Sequence, residues 1–328
     1  MKLLVLGAGE VRDLLPYAEC ADVMREALVG LARGEAYQPL RTVIRPPGGD
    51  GLMALMPSFL AGEDPAYGLK AICIFPGNPA LGQDAHQGGV LVSSARTGEL
   101  LALLNGSALT EIRTAAVSAV ATRLLARPDA DILAIIGTGV QARAHALAIS
   151  ATRPLAEIRL AGRRPGAAAR LAGDLRDRLA VPVQACDDAA QAVAGASIVV
   201  TATSSAGPVL RRGWLAGGTH INAVGACLPA AREIDTATMA DAALFVDSRE
   251  SAAAESGDFL LAQAEGAIDA GHIRAEIGEV LTGAAPGRRD AHEITLFESL
   301  GLAVEDLAAA AHLYRKASQL GAGTWVEF

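Results

Sequence analysis

The residues with the clearest chemical purpose are three small ones: Gly137, Gly139 and Ala142, in D-I-L-A-I-I-G-T-G-V-Q-A-R-A-H. They form G-x-G-x-x-A between a continuous apolar run and a stretch of helical period. The first glycine permits a tight turn, the second lets backbone approach a pyrophosphate, and the small third residue allows close packing of helix on strand. A helix N-terminus placed there offers unpaired N–H groups and positive dipole to phosphate. A second glycine pair, Gly7 and Gly9 in V-L-G-A-G-E-V-R, has Arg12 at the third position. That side chain is too large for the packing role, and the sequence beyond reads as proline-rich β texture, so this segment is expected to be only an N-terminal strand and turn. About 20 residues past the glycines, an NAD site places an acid to bind the ribose 2′-hydroxyl. Here the next strand ends in Ala161-Gly162-Arg163-Arg164. Two arginines suit the 2′-phosphate of NADP(H), so NADP(H) is expected to be preferred, with NAD(H) possible. The same arginines would also serve simply to cap a surface turn.

A second group consists of cations in uncharged settings: Arg41 in P-L-R-T-V, Lys70 in G-L-K-A-I-C-I-F-P-G-N and Arg113 in I-R-T-A-A. An unpaired ammonium in an apolar run is costly, so Lys70 requires an anionic partner. Lysine occurs only at Lys2, Lys70 and Lys316, with arginine elsewhere, which suggests a need for a titratable amine at position 70. Arg113 reads as the beginning of an apolar helix, where the dipole disfavours a cation unless an anion is near. Each residue alone is equally well half of an ordinary salt bridge. Together, beside a hydride-transfer cofactor, they suit a carboxylate clamp.

The elements that must position these residues fall into two textures. From Asp131 to Asp247, short apolar runs at Ile132–Ile136, 157–161, 181–185, 196–203, 218–225 and 242–247 alternate with helix-like stretches. Continuous runs separated by helices imply a parallel, doubly wound sheet covered on both faces. Residues 36 to 104 instead carry seven prolines and many glycines between short β-like runs, which reads as antiparallel sheet. Residues 108 to 126 read as one amphipathic helix leading into the parallel domain. After Asp290 the chain is expected to be helical through Val304 to Leu320 and to return to the first domain. The expected class is α/β, a doubly wound parallel sheet with an additional α+β domain.

Composition narrows the function. Among 328 residues, 51% are hydrophobic and 20% charged, which supplies a sizeable core and excludes a disordered chain. A net charge of −8 opposes a general electrostatic grip on nucleic acid or an anionic membrane. Aromatic residues at 4% argue against base-stacking platforms. Cys20, Cys73, Cys186 and Cys227 show no C-x-x-C pair, and the apolar run Leu3 to Gly9 is broken by Glu10, Arg12 and Asp13 before it could serve as a signal or a membrane span. A cytoplasmic location is expected. There is no P-loop and no G-x-S-x-G elbow. The six histidines, at 86, 145, 220, 272, 292 and 312, lack metal-ligand spacing, so no metal is expected.

With those motifs in hand, the chain resembles the ornithine cyclodeaminase/μ-crystallin family over nearly its whole length. The resemblance is carried by G-L-K-A-I-C-I-F-P-G-N, T-G-E-L-L-A-L-L-N-G, L-T-E-I-R-T-A-A, I-G-T-G-V-Q-A-R-A-H, H-I-N-A-V-G, R-E-I-D, V-D-S-R-E-S-A-A-A-E-S-G-D and I-T-L-F-E-S-L-G. It implies a Rossmann-type NAD(P)-binding domain over 116–301 and a substrate-binding and homodimerisation domain formed by 1–115 with 302–328. It implies that Arg41, Lys70 and Arg113 bind the substrate carboxylate, with Lys70 and Arg113 catalytic. It places the cofactor on Gly137, Thr138, Gly139, Val140, Gln141, Thr201, Thr203 and Val224, beside Arg163 and Arg164. Cyclodeaminases of the family look like G-G-D-C-P after the A-V-G strand, and that aspartate is thought to act in deamination. Here the stretch is G-A-C-L-P, with Cys227 at the position, and a thiol is a poor substitute for a carboxylate. The chain thus looks more like the ketimine reductase and pyrroline-2-carboxylate reductase branch. The implied activity is NADPH-dependent reduction of a cyclic imino acid to L-proline or L-pipecolate. Ornithine cyclodeamination with NAD, or ligand binding without catalysis, are the alternatives. An opine-type condensation or an alanine dehydrogenase activity stays open within the enzyme class.

Overall fold

The computed structural model describes residues 2–328. Contacts divide the chain into two compact units, one made of the residues up to Arg113 with Gly301–Phe328, the other of Thr114–Leu300.

The first unit begins with β1 (Lys2–Leu6), α1 (Ala8–Leu14), α2 (Tyr17–Ala32), β2 (Ala36–Tyr37) and β3 (Thr42–Ile44). It continues with β4 (Leu52–Leu60), β5 (Ala66–Ile74), β6 (His86–Ser94) and β7 (Leu100–Asn105), before α3 (Gly106–Leu125) runs into the second unit. Strands β4 to β7 form an antiparallel meander, and β1 adds to β7 in parallel. Residues along β4 and β5 alternate between buried and more accessible, as a sheet packed on one face requires. The expectation of only a strand and turn at the N-terminus is corrected here. Two helices follow β1, because Cys20, Ala21, Met24, Ala27 and Leu28 recur at helical spacing and are all buried. Arg12 does not pack against a strand but donates to Glu111 Oε2 from Nε at 3.2 Å and from a terminal nitrogen at 2.9 Å.

Helix α3 also departs from expectation. Residues 111–122 are buried on every side, including Glu111, Arg113, Ser118 and Thr122, so the helix is enclosed rather than amphipathic.

The second unit holds β8 (Ile132–Ile136), α4 (Val140–Thr152), β9 (Glu157–Ala161), α5 (Ala167–Arg176), β10 (Val183–Ala185), α6 (Ala189–Val193), β11 (Ile198–Thr201) and β12 (His220–Ala223). Then come α7 (Thr236–Asp241), β13 (Ala243–Val246), α8 (Arg249–Glu255), α9 (Gly257–Ala264), β14 (Ile273–Glu276), α10 (Ile277–Leu281) and β15 (Thr295–Glu298). Its eight strands run in the order β10-β9-β8-β11-β12-β15-β13-β14. Every pairing is parallel. This is the doubly wound α/β arrangement, with its core in the apolar strand faces: Ala134, Val199, Ile221, Leu244 and Leu296 are fully buried. The stretch after Asp290 is not helical throughout, since β15 enters the sheet between β12 and β13. Its four residues are all buried, so it shows no alternation that would mark it, and it is too short to declare itself by length.

The chain returns to the first unit through α11 (Ala303–Leu320) and β16 (Thr324–Glu327). Helix α11 packs on β4, β5 and α2, while β16 pairs antiparallel with β1.

Candidate functional site

In the first unit the three cations lie around the start of α11. Lys70, on β5, is 4% exposed, and its Nζ contacts Asp306 Oδ1 at 3.3 Å and Oδ2 at 3.2 Å. Arg113, also 4% exposed, donates from Nε to Asp306 Oδ1 at 2.9 Å and from a terminal nitrogen to Glu305 Oε2 at 2.8 Å. Asp306 therefore joins the two. Arg41 donates to the Gly301 carbonyl at 3.1 Å. Arg113 does not begin its helix; it lies two turns inside α3, so no dipole argument applies to it. The acids do stand in the first turn of α11, where the dipole favours them. Glu305 also accepts the Leu302 N–H at 3.2 Å, and Ser58 Oγ and Gln38 Oε1 bond Ala303 O and Val304 N, which fixes the helix start over the sheet.

Gly301 is required by this arrangement. Its φ is +80°, and a Cβ there would lie 2.6 Å from a terminal nitrogen of Arg113. Burial lowers the Lys70 ammonium pKa most, Asp306 opposes that, and Arg113 and Arg41 lower it further, to about 8. Lys70 and Arg113 thus share Asp306, Arg113 also holds Glu305, and Arg41 reaches the Gly301 carbonyl beside them.

In the second unit the turn between β8 and α4 has the geometry of a phosphate cradle. Gly137 adopts φ +135°, and a Cβ on it would lie 2.3 Å from the Ala202 carbonyl oxygen. A Cβ on Gly139 would meet nothing within 4 Å, so backbone there is open to an approaching group. Ala142 is fully buried, as the third position of the motif demands. Thr138 lies against Gly162, and Val140, the first residue of α4, is 52% exposed although apolar. Gln141 follows it, and its carbonyl bonds His145 Nδ1. Arg163 and Arg164 are exposed just beyond β9 and form no ion pair among the described residues. Thr201 closes β11, and Val224 follows β12 with its N–H on Thr201 O at 3.0 Å. These residues fit a dinucleotide along the C-terminal edge of the parallel sheet.

Behind that edge lie three carboxylates, of which the sequence had marked only Asp258, as an outer contact or cap. Glu233 accepts the Thr203 N–H at 2.6 Å and the Gly225 N–H at 2.7 Å. Asp258 Oδ1 accepts the N–H groups of Glu233 and Ile234, both at 2.8 Å, and Glu298 accepts the Ser256 hydroxyl at 2.9 Å. Burial, the largest cause in each case, raises the pKa of all three; Asp258 rises to about 7, and Asp258 and Glu233 push Glu298 up further. Asp235 caps α7, its side chain accepting the Thr238 N–H.

The histidines of this unit are deeply placed. His145 Nε2 bonds Ser118 Oγ and His220 Nδ1 bonds Thr295 Oγ1. Burial lowers their pKa values to about 4 and about 3, so both are neutral near pH 7. Cys227, partly buried, donates its thiol to the Val224 carbonyl at 3.3 Å.

Asp306 and Glu305 were the main omission in the first unit. Their sequence signal was an acid pair in the otherwise apolar L-A-V-E-D-L-A-A-A-A, the counterpart of the lysine that needed an anion.

Comparison with known proteins places this geometry in context. A Δ1-pyrroline-2-carboxylate reductase of Bacillus cereus is 38% identical over 327 residues, covering 99% of this chain and 100% of the other. A ketimine reductase mu-crystallin of Mus musculus is 38% identical over 313 residues, covering 94% and 96%. The solved structure of Thermococcus litoralis Δ1-pyrroline-2-carboxylate reductase, in complex with NADH and L-proline, superposes with a TM-score of 0.95 at 37% identity, covering 98% of this chain and 99% of that one. The sequence pattern of the ornithine cyclodeaminase/mu-crystallin family matches residues 1–321, and the chain belongs to that family.

Proposed function

We propose that the protein reduces a cyclic imino acid, Δ1-pyrroline-2-carboxylate or Δ1-piperideine-2-carboxylate, to L-proline or L-pipecolate with NADPH. The observation that carries this reading is the buried pair Lys70 and Arg113, bridged by Asp306, with Arg41 beside them at the Gly301 carbonyl. The reductases among the relatives support it. So does Cys227, whose thiol stands where a cyclodeaminase of the family carries an aspartate.

Arg41, Lys70 and Arg113 receive the substrate carboxylate and fix the ring, and this orientation supplies the entropic part of the rate. The nicotinamide, when bound, supplies the hydride that the C=N carbon gains. The imine nitrogen gains one proton, from Lys70 Nζ or from a water that Lys70 holds, and the product is a secondary amine. A lysine with its pKa near 8 suits both tasks, being charged at pH 7 yet able to release its proton. Gly137 to Gln141 hold the pyrophosphate, Thr201, Thr203 and Val224 line the later strands, and Arg163 with Arg164 meet the 2′-phosphate.

In this reading the first unit binds substrate and also pairs with a second copy. The face of its sheet turned away from α11 presents Met53, Tyr67, Leu69, Leu91 and Leu103, an apolar surface that a homodimer would cover. A cytoplasmic setting accompanies it, supported by four cysteines without disulfides.

A direct assay decides: NADPH and NADH oxidation with each imine, beside proline formation from ornithine. Imine-dependent NADPH oxidation is the expected result. Proline and ammonia from ornithine without net nucleotide turnover would replace this reading with cyclodeamination, and no turnover of any substrate would leave a ligand-binding protein. A tenfold preference for NADH would remove the role given to Arg163 and Arg164.

A further inference from the structure

We infer that Glu233 is a positioning residue for the dinucleotide, holding in register the two loops that leave β11 and β12. The inference rests on the nucleotide-binding reading above and adds a residue that contacts no ligand itself. One carboxylate spans both loops: Oε1 takes the Thr203 N–H at 2.6 Å and Oε2 the Gly225 N–H at 2.7 Å. The loops approach it this closely only because residue 225 is glycine, since a Cβ there would lie 2.6 Å from Glu233 Cδ and 2.2 Å from Thr203 O.

Glu233 is in turn fixed from behind. Its N–H and that of Ile234 are both held by Asp258 Oδ1 at 2.8 Å, and its carbonyl accepts the N–H groups of Val209 and Leu210. Asp258 is brought there by Gly257, which donates its N–H to Ala226 O at 3.1 Å and has no room for a side chain, a Cβ lying 1.9 Å from Ala231 O. Glu233 is fully buried and forms no ion pair among the described residues, so its placement is not that of a surface charge partner. Burying a carboxylate is costly, and what its position secures is the spacing of two amides at the edge where parallel sheets bind dinucleotides. Strands β11 and β12 belong to the half of the sheet opposite β9 and β10, so the tie acts on the nicotinamide half. The turn at Gly137 and the arginines at 163 and 164 act on the other half.

The test is Glu233→Gln, which keeps the shape but offers one acceptor oxygen and turns an amide NH2 toward the second N–H. Binding of NADPH and of 2′-phospho-ADP-ribose, which lacks the nicotinamide ring, is measured by titration for the parent and the variant, with the Michaelis constant for imine at saturating NADPH. Losing one of the two hydrogen bonds is expected to weaken NADPH by about tenfold. Affinity for 2′-phospho-ADP-ribose stays within about twofold, and the imine constant does not change. Unchanged NADPH affinity overturns the inference, as does an equal loss for both probes, which marks general damage to the unit. A parent protein that binds neither NADPH nor NADH overturns the nucleotide reading itself. If Glu233→Gln does not fold, Glu233→Asp carries the same test, because it retains the charge and loses the reach to both loops.

Discussion

In the first unit, Lys70 and Arg113 are buried against the carboxylates of α11, whereas in the second Glu233, Asp258 and Glu298 are equally buried with only N–H and hydroxyl donors bonded to them. The first arrangement sets each buried cation against a carboxylate. The second pushes its carboxyls toward the neutral form, which makes it a scaffold. In the proposed reading buried charge serves ligand recognition in one place and loop geometry in the other, and what separates the two sites is whether a counter-charge is supplied.

The largest test of that contrast is Lys70→Met, which removes both the ammonium and the proton it can release. It should lower kcat/KM for the imine by about 10²–10⁴-fold, read in steady-state kinetics, while NADPH affinity is retained. A fall of less than tenfold would move the chemistry elsewhere. Next come two isosteric neutralisations compared by urea unfolding. Asp306→Asn leaves Lys70 and Arg113 facing each other without their shared carboxylate and should cost about 3–5 kcal/mol. Glu298→Gln replaces a carboxyl already biased to its neutral form and should change stability at pH 7 by less than about 1 kcal/mol. Equal losses would erase the distinction between the units.

Exchanging Arg164 for alanine should raise the Michaelis constant for NADPH by about tenfold and leave that for NADH unchanged, because one charge-assisted contact to the 2′-phosphate is lost. The smallest effects are in pH. Activity should fall as pH rises through about 8, where Lys70 gives up its proton, and Lys70→Arg should abolish that limb. Stability should behave differently: Asp258 binds its proton up to about pH 7 when folded but only to 3.8 when unfolded, so stability declines as pH rises through that interval. Asp258→Asn should flatten this decline.

Much of the second unit was legible from its text because its strands are continuous apolar runs and its turn needs residues of fixed size. β15 was not, since four buried residues carry neither period nor length, and neither were β14 and the helices around it. In the first unit the three cations stood out through their apolar neighbours, but their partners did not. Asp306 lies 236 positions from Lys70, a separation no local pattern spans. Glu233 was hidden for another reason: its partners are backbone N–H groups at Thr203 and Gly225, which every residue but proline possesses, so residue types could not reveal the tie.

The pairing of Lys70 with Asp306 also orders events during synthesis. Glu305 and Asp306 are made after the whole of the second unit, so Lys70 and Arg113 lack these carboxylates until residues 114–300 have been synthesised. The first unit therefore cannot complete its charge pairs until its C-terminal segment, Gly301–Phe328, is made.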